Sequence, residues 1–171
     1  MEAGSSGQSE VNVRGANPAD CREIHHVLLE SFEPYRKVYT KEAYDETVLS
    51  SDKIEKRITD PETEVLVALH KNEIVGTATI NIQVGDDLYI RSMAVKPDTQ
   101  GKGIGRCILE EIQEIAVQRQ CKTISLECYE PLKNAVRLYE RFGFRRTGEK
   151  RAYHGVEIFE MKKETKQGLI K

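Results

Sequence analysis

The four cysteines, Cys21, Cys107, Cys121 and Cys128, include no C-x-x-C pair, and the four histidines do not complement them. A zinc ribbon, a redox dithiol and a structural metal are therefore not expected. The N-terminal MEAGSSGQSE has neither a positive start nor an apolar stretch, so it does not read as a secretory signal. A cytoplasmic chain with reduced thiols follows as the expectation. Long hydrophobic runs are missing too. The longest, residues 65–69, is far short of the roughly 20 residues that cross a bilayer, so no membrane partner is expected. Nor does one charge dominate. Lys and Arg number 26 against 28 Asp and Glu, a net charge of −2 that argues against a dedicated nucleic-acid binder.

What is present is the composition of a soluble globular domain: 171 residues, 39% hydrophobic and 32% charged. Residues 1–10 read as a flexible polar tail, 11–163 as one domain and 164–171 as a polar C-terminal tail. Residues 11–14 alternate like a strand. Asn17-Pro18-Ala19-Asp20 carries a helix-start signature, and Ile24, Val27, Leu28 and Phe32 continue at helical spacing to about Ser31. A weaker helical region carries Tyr44, Val48, Leu49, Ile54 and Ile58, with a break near Ser50-Ser51. Three strands follow, at 65–69, 74–82 and 88–95, joined by short turns. Residues 103–118 form the strongest helix, with Ile104, Ile108, Ile112 and Ile115 in one stripe. A strand at 123–129, a helix opened by Pro131 and ended by Gly143, and two closing strands near 144–151 and 156–162 complete the chain. The strand–helix–strand order around 88–129 implies one parallel crossover in an otherwise antiparallel sheet.

The informative segment is residues 95–106, V-K-P-D-T-Q-G-K-G-I-G-R, where a strand gives way to a glycine-rich loop and a long helix. Glycines let the backbone approach a ligand, and a helix N-terminus offers unpaired N–H donors and partial positive charge. That combination suits a phosphate or pyrophosphate. The P-loop string G-x-x-x-x-G-K-[ST] is missing, and the spacing G-x-G-x-G is not the dinucleotide fingerprint G-x-G-x-x-G.

Gln100-x-x-Gly103-x-Gly105 matches [RQ]-x-x-G-x-[GA], and here the chain resembles the GNAT superfamily of N-acetyltransferases. Residues 90–97, I-R-S-M-A-V-K-P, look like that family's fourth strand, and residues 135–144, A-V-R-L-Y-E-R-F-G-F, look like its A-x-x-L-Y-x-x-x-G-F helix. The resemblance covers most of the chain. It implies an α/β (α+β) fold: a mixed, mostly antiparallel seven-stranded sheet splayed between strands 4 and 5 and flanked by about four helices. It also implies acetyl-CoA as co-substrate, an amine acceptor, no metal, and an acetyl group moved by direct attack in a ternary complex. Dimers are common in the family, so a homodimer is compatible with it.

By the same resemblance, the pantetheine arm pairs with Met93, Ala94 and Val95. The pyrophosphate meets the amides of Gln100, Gly101, Lys102, Gly103, Ile104, Gly105 and Arg106. The side chains of Lys102, Arg106 and Lys133 are candidates to neutralise phosphate, each competing with a plain surface role. Tyr139 falls where the family places a tyrosine near the CoA sulfur, which makes it the candidate acid for the departing thiolate; a buried packing role on its apolar face is the competing reading. Glu127, near the end of the fifth strand, resembles the base of the ribosomal-protein N-terminal acetyltransferases. A strand-end carboxylate in solvent is the competing reading. That subgroup's asparagine position is Leu132 here, with Asn134 two places away.

Tyr89 and Arg91 face the acceptor channel, solvent or an adjoining helix. Phe32, Tyr35, Tyr39 and Tyr44 form either an acceptor wall or satellite packing. His154 reads as a solvated turn residue, with contact to an acceptor as the alternative, and the run Arg141, Arg145, Arg146, Lys150 and Arg151 as a solvated face. A non-catalytic acyl-CoA-binding or sensing module of the same fold is the alternative function, and a nucleotide-dependent oxidoreductase a weaker third.

Overall fold

The computed structural model describes residues 10–84 and 86–165. The expected tails before residue 10 and after residue 165, and Gly85 in its turn, lie outside the described residues. Chain order is β1 (Val11–Gly15), α1 (Cys21–Phe32), α2 (Lys41–Thr47), α3 (Ser51–Thr59), β2 (Glu64–His70), β3 (Glu73–Gln83), β4 (Asp87–Val95), α4 (Ile104–Gln118), β5 (Thr123–Tyr129), α5 (Lys133–Phe142), β6 (Arg145–Tyr153) and β7 (Val156–Glu164). The strands form one seven-stranded sheet in the order β1-β2-β3-β4-β5-β7-β6. β4 and β5 pair in parallel while the other neighbours are antiparallel, as the strand–helix–strand order requires.

Local chemistry sets the boundaries. Asn17 closes a capping box with Asp20, and Arg14 pairs with Asp20 at 2.8 Å, fastening the start of α1 to β1. The weak helical region is two helices, because Thr40 and Ser50 each cap a new start with a side-chain oxygen. Five helices therefore flank the sheet where about four were expected. Gly143 ends α5 at φ +112°, a left-handed cap that an L side chain rarely adopts.

Each face of the sheet has its own core. Ile104, Ile108, Leu109, Ile112, Ile115 and Ala116 of α4 bury against one face, joined by Val136 and Tyr139 of α5. Ile24, Val27 and Leu28 of α1 and Ile54 of α3 bury against the other. Truncating a fully buried side chain such as Ile112 to Ala costs about 2–5 kcal/mol in such a setting.

β6 is an exposed edge strand rich in Arg and Lys, the composition that discourages edge-to-edge pairing. At the other end of the hairpin, β7 continues through Glu164 and Thr165 is buried, its amide bonded to the Lys122 carbonyl at 2.9 Å. The domain thus extends past residue 163. No helix among the described residues is long and apolar enough to cross a membrane.

Candidate active site

The parallel pairing of β4 with β5 runs from Asp87–Thr123 to Ile90–Leu126 and stops there. Asp87 clamps the closed end, accepting from Thr123 Oγ1 at 2.6 Å and from the Ser125 hydroxyl. Past Ile90, β4 carries a bulge. Thr77 pairs with Ala94 and Thr79 with Arg91, which leaves Ala78 opposite both Ser92 and Met93. Ser92 takes the strain at φ +52°. Arg57 of α3 supports it, donating from Nη1 to Ser92 Oγ at 2.7 Å and to Thr79 Oγ1 at 3.4 Å. A cavity of about 880 Å³ fills the wedge between the diverging strands, within the range of small-molecule sites.

At the loop end of the cavity, the glycines divide by cause. Gly101 and Gly103 hold φ +82° and +78°, and a Cβ built on either would meet only open space. Gly105 is closely packed instead, since a Cβ there would lie 2.7 Å from Leu138 Cδ2, the end of a side chain on α5 that would have to shift. Among the described residues, the amides of Gly101, Lys102, Gly103, Ile104, Gly105 and Arg106 have no hydrogen-bond acceptor; the first helical bond here is Cys107 N–H to the Gly103 carbonyl at 3.0 Å. These are the orphan donors of a helix N-terminus, extended by two loop residues.

Three expected contacts change. The Gln100 amide already donates to the Pro97 carbonyl at 3.3 Å, and its side chain to the Val95 carbonyl at 3.2 Å, so Gln100 braces the loop. Ser31 Oγ donates to that same carbonyl at 3.0 Å, which removes the Val95 C=O as an acceptor for pantetheine. The Lys102 side chain is not part of the cavity wall, Arg106 pairs with Glu110 at 3.0 Å, and Lys133 lies 3.8 Å from Glu130. Arg106 nonetheless lines the cavity, joined there by Arg137 and Arg141. The latter two stand one turn apart on α5, a spacing visible in the sequence but indistinguishable there from a solvated face.

Tyr139 of α5 lines the cavity, buried, with its ring 5.9 Å from that of Phe144. Its hydroxyl has no hydrogen-bond partner among the described residues. Burial, with a smaller contribution from Cys128, pushes its pKa well above that of a free phenol, so it stays protonated.

Glu127 faces the same wedge from β5. Arg151 Nε and Nη2 donate to its two oxygens at 2.6 and 2.8 Å, and Tyr89 Oη donates to Oε1 at 2.8 Å. Burial alone would raise its pKa, but the Arg151 and Tyr89 hydrogen bonds outweigh it and hold the carboxyl below the ordinary range. Burial and the bond to Glu127 push Tyr89 up to about 12. Glu127 is therefore a fixed, ionised carboxylate and not a solvated strand end. Arg151, read as surface charge, is its principal partner; no local signal marks it, because the pairing crosses from β5 past β7 to β6.

The aromatic residues before α2 split between the two readings. Phe32, Tyr35 and Tyr39 line the cavity, while Tyr44 turns away and donates to Glu33 at 2.9 Å. Tyr39 packs at 4.9 Å from Tyr129 on β5. Thr40 Oγ1 donates to the His154 carbonyl at 2.5 Å, fastening this loop to the last hairpin, and Tyr153 and His154 also line the wall. Leu132 and Asn134 do so as well.

A sheet opened at a parallel junction, with free amides at the following helix, is the architecture that the loop motif implies. The family model of the acetyltransferase (GNAT) domain matches residues 29–165, more than half of the chain. The chain belongs to the GNAT acetyltransferase family. This GNAT domain is 33% identical over 70 residues to thialysine N-epsilon-acetyltransferase of Sus scrofa, a match covering 41% of each chain. It is 47% identical over 51 residues to spermine/spermidine N(1)-acetyltransferase of Bacillus subtilis, covering 29% of this chain and 34% of the relative. The matched stretches thus span less than half the length of those relatives. In fold, it resembles PaiA N-acetyltransferase of Thermoplasma acidophilum in complex with coenzyme A, with a TM-score of 0.75 at 19% identity, covering 91% of this chain and 99% of the other. The ribosomal-protein-S18-alanine N-acetyltransferase of Escherichia coli gives a TM-score of 0.70 at 18% identity, covering 90% and 93%.

Proposed function

We propose that this GNAT domain transfers acetyl from acetyl-CoA to a primary amine by direct attack in a ternary complex. The observation that carries the reading is the wedge between β4 and β5 with six unpaired amides at its mouth. A diphosphate suits those amides and the N-terminal end of the α4 dipole. The pantetheine amides suit the unpaired edge of β4 near Met93 and Ala94, as an added strand would. Arg137 and Arg141 supply the countercharge. Thialysine, spermine and spermidine, in the names of the two relatives, are amines, which supports nitrogen as the attacking atom.

The neutral amine attacks the thioester carbon, a C–N bond forms, and the carbonyl oxygen becomes an oxyanion that backbone N–H at the Ser92–Met93 bulge stabilises. Collapse breaks the C–S bond, releasing acetylated amine and CoA. Magnitudes decide the proton roles. A free ammonium titrates near about 10.4, and the Glu127 carboxyl lies below its usual range, so direct deprotonation is uphill by more than about 8 kcal/mol. Glu127 takes its proton later, after C–N bond formation has made the nitrogen far more acidic. A thiol titrates near about 8.5, and the Tyr139 phenol far higher. Tyr139 accordingly donates a hydrogen bond to the departing sulfur without giving up its proton.

Thiol release from acetyl-CoA in the presence of a panel of primary amines tests the reading. Amine-dependent release, with acetylated amine found by mass spectrometry, is expected. CoA binding without transfer to any amine would instead indicate a sensing module.

A further inference from the structure

The acceptor half of the cavity has an uncompensated positive charge. Five charged side chains line it away from the loop: Glu46, Arg57, Arg91, Glu127 and Arg151. Glu127 is neutralised by Arg151 at 2.6 Å, and Glu46 by Lys53 at 3.0 Å. Arg57 and Arg91 remain. Among the described residues, neither has a carboxylate within ion-pair distance. Arg57 makes its bonds to the neutral hydroxyls of Ser92 and Thr79. Arg91 is directly paired with Thr79 across β3–β4, so its side chain leaves the sheet on the face that Arg57 covers. Its Nε is buried and has no hydrogen-bond partner among the described residues.

Two guanidinium groups side by side, with one donor buried and unused, are costly unless an anion joins them. Burial first, and then the neighbouring Arg91, lower the Arg57 pKa to about 10, with Tyr153 and Glu46 opposing the shift. The diphosphate of CoA is not that anion on this reading. Its amides lie beyond the C-terminal end of β4, at residues 101–106, whereas Arg91 precedes the bulge and Arg57 comes from α3. A planar carboxylate matches the fork of donors that arginine presents.

We propose that Arg57 and Arg91 form a carboxylate subsite, so that the acceptor is a small amine that carries its own carboxylate, an amino acid or a close analogue, and not a polycation. The inference rests on the transferase reading for the amine's role but names a separate part of the cavity. The carboxylate would be held by the two guanidinium groups, and the amine would project toward Glu127 and the thioester. Arg91 is then a specificity residue, since it discriminates among acceptors without touching the acetyl group.

The test titrates the CoA-saturated protein by calorimetry with the twenty common amino acids, with the α-amides of those that bind, and with spermidine. Thiol-release kinetics on the same compounds follow. At least one amino acid should bind, and its α-amide about 10- to 100-fold more weakly, the loss that accompanies a charged hydrogen bond. Arg91→Gln should erase that preference, raising KM far more than it lowers kcat. Arg91→Met, which removes an unpartnered buried donor, should melt no lower than the parent. Binding of none of the amino acids, equal binding of an amide, or tighter binding of spermidine would each overturn the subsite. An amino acid that binds with the predicted preference but is never acetylated would overturn the transferase reading and leave the subsite standing. Acetylation of amides as efficient as that of acids would do the reverse.

Discussion

Tyr89 on β4 donates to Glu127 on β5 at 2.8 Å, straddling Ile90 and Leu126, the last residues that the two parallel strands pair. The bond lies where the sheet begins to open, and it fixes one carboxylate oxygen while Arg151 holds both. Tyr89→Phe leaves the Arg151 contacts in place. The expected cost in stability is about 1 kcal/mol, that of one hydrogen bond, read from the denaturant midpoint. Because the Tyr89 bond lowers the Glu127 pKa, its loss should also move the acidic limb of the pH–rate profile upward. An unmoved limb would mean that Glu127 takes no part in proton transfer.

Tyr139→Phe removes a hydroxyl that has no protein partner among the described residues, so the fold should tolerate it. Turnover should fall about 10- to 100-fold, the worth of one hydrogen bond to a charged group. Affinity for acetyl-CoA, measured by calorimetry, should change little. Equal turnover in the variant would reduce Tyr139 to a packing residue beside Phe144.

Gly103 and Gly105 should respond differently to alanine. Gly103→Ala forces a side chain into the left-handed region, at about 1–2 kcal/mol, and places a methyl in the space above the free amides. CoA affinity should drop about 10-fold or more. Gly105→Ala gains about 1 kcal/mol of helix propensity and meets only the mobile end of Leu138, so stability should change little. Equal losses of affinity at both positions would contradict this division.

Acid should weaken the fold through carboxylates whose pKa values are lowered. In Glu127, burial opposes the shift and the Arg151 and Tyr89 bonds prevail; in Asp20, the Arg14 hydrogen bond is the largest cause. A lowered native pKa gives stability that is complete above the unfolded values, about 4.3 and 3.9, and is lost as pH falls through the native ones. The urea midpoint should therefore hold from neutral pH to about 5 and fall below it. Arg151→Met should flatten that fall by relaxing Glu127; an unchanged slope would remove the pair from the account.

Much of the fold was legible because its signals are local. The stripe Ile104, Ile108, Ile112 and Ile115 buries as expected, the strand at 123–129 has the expected ends, and the crossover between β4 and β5 is parallel. Local signals also located the free amides of the loop. The pairing of Glu127 with Arg151 was hidden, since the two lie 24 residues apart on strands separated by β7. Arg57 was hidden for a similar reason. Its position on α3 looks like any solvated helix face until the tertiary fold lays it over Ser92. Gln100 shows the opposite case, in which a motif residue matches and its amide is already engaged inside the loop.

The central claim is that the loop after β4 and the unpaired edge of that strand hold acetyl-CoA. Amide resonances of the ¹⁵N-labelled protein, followed through a titration with CoA, test it most directly. The largest shifts should fall on Gly101 to Arg106 and on Met93 and Ala94, with the Gln100 amide moving less. Shifts centred elsewhere in the chain, or no saturable change at millimolar CoA, would contradict the account.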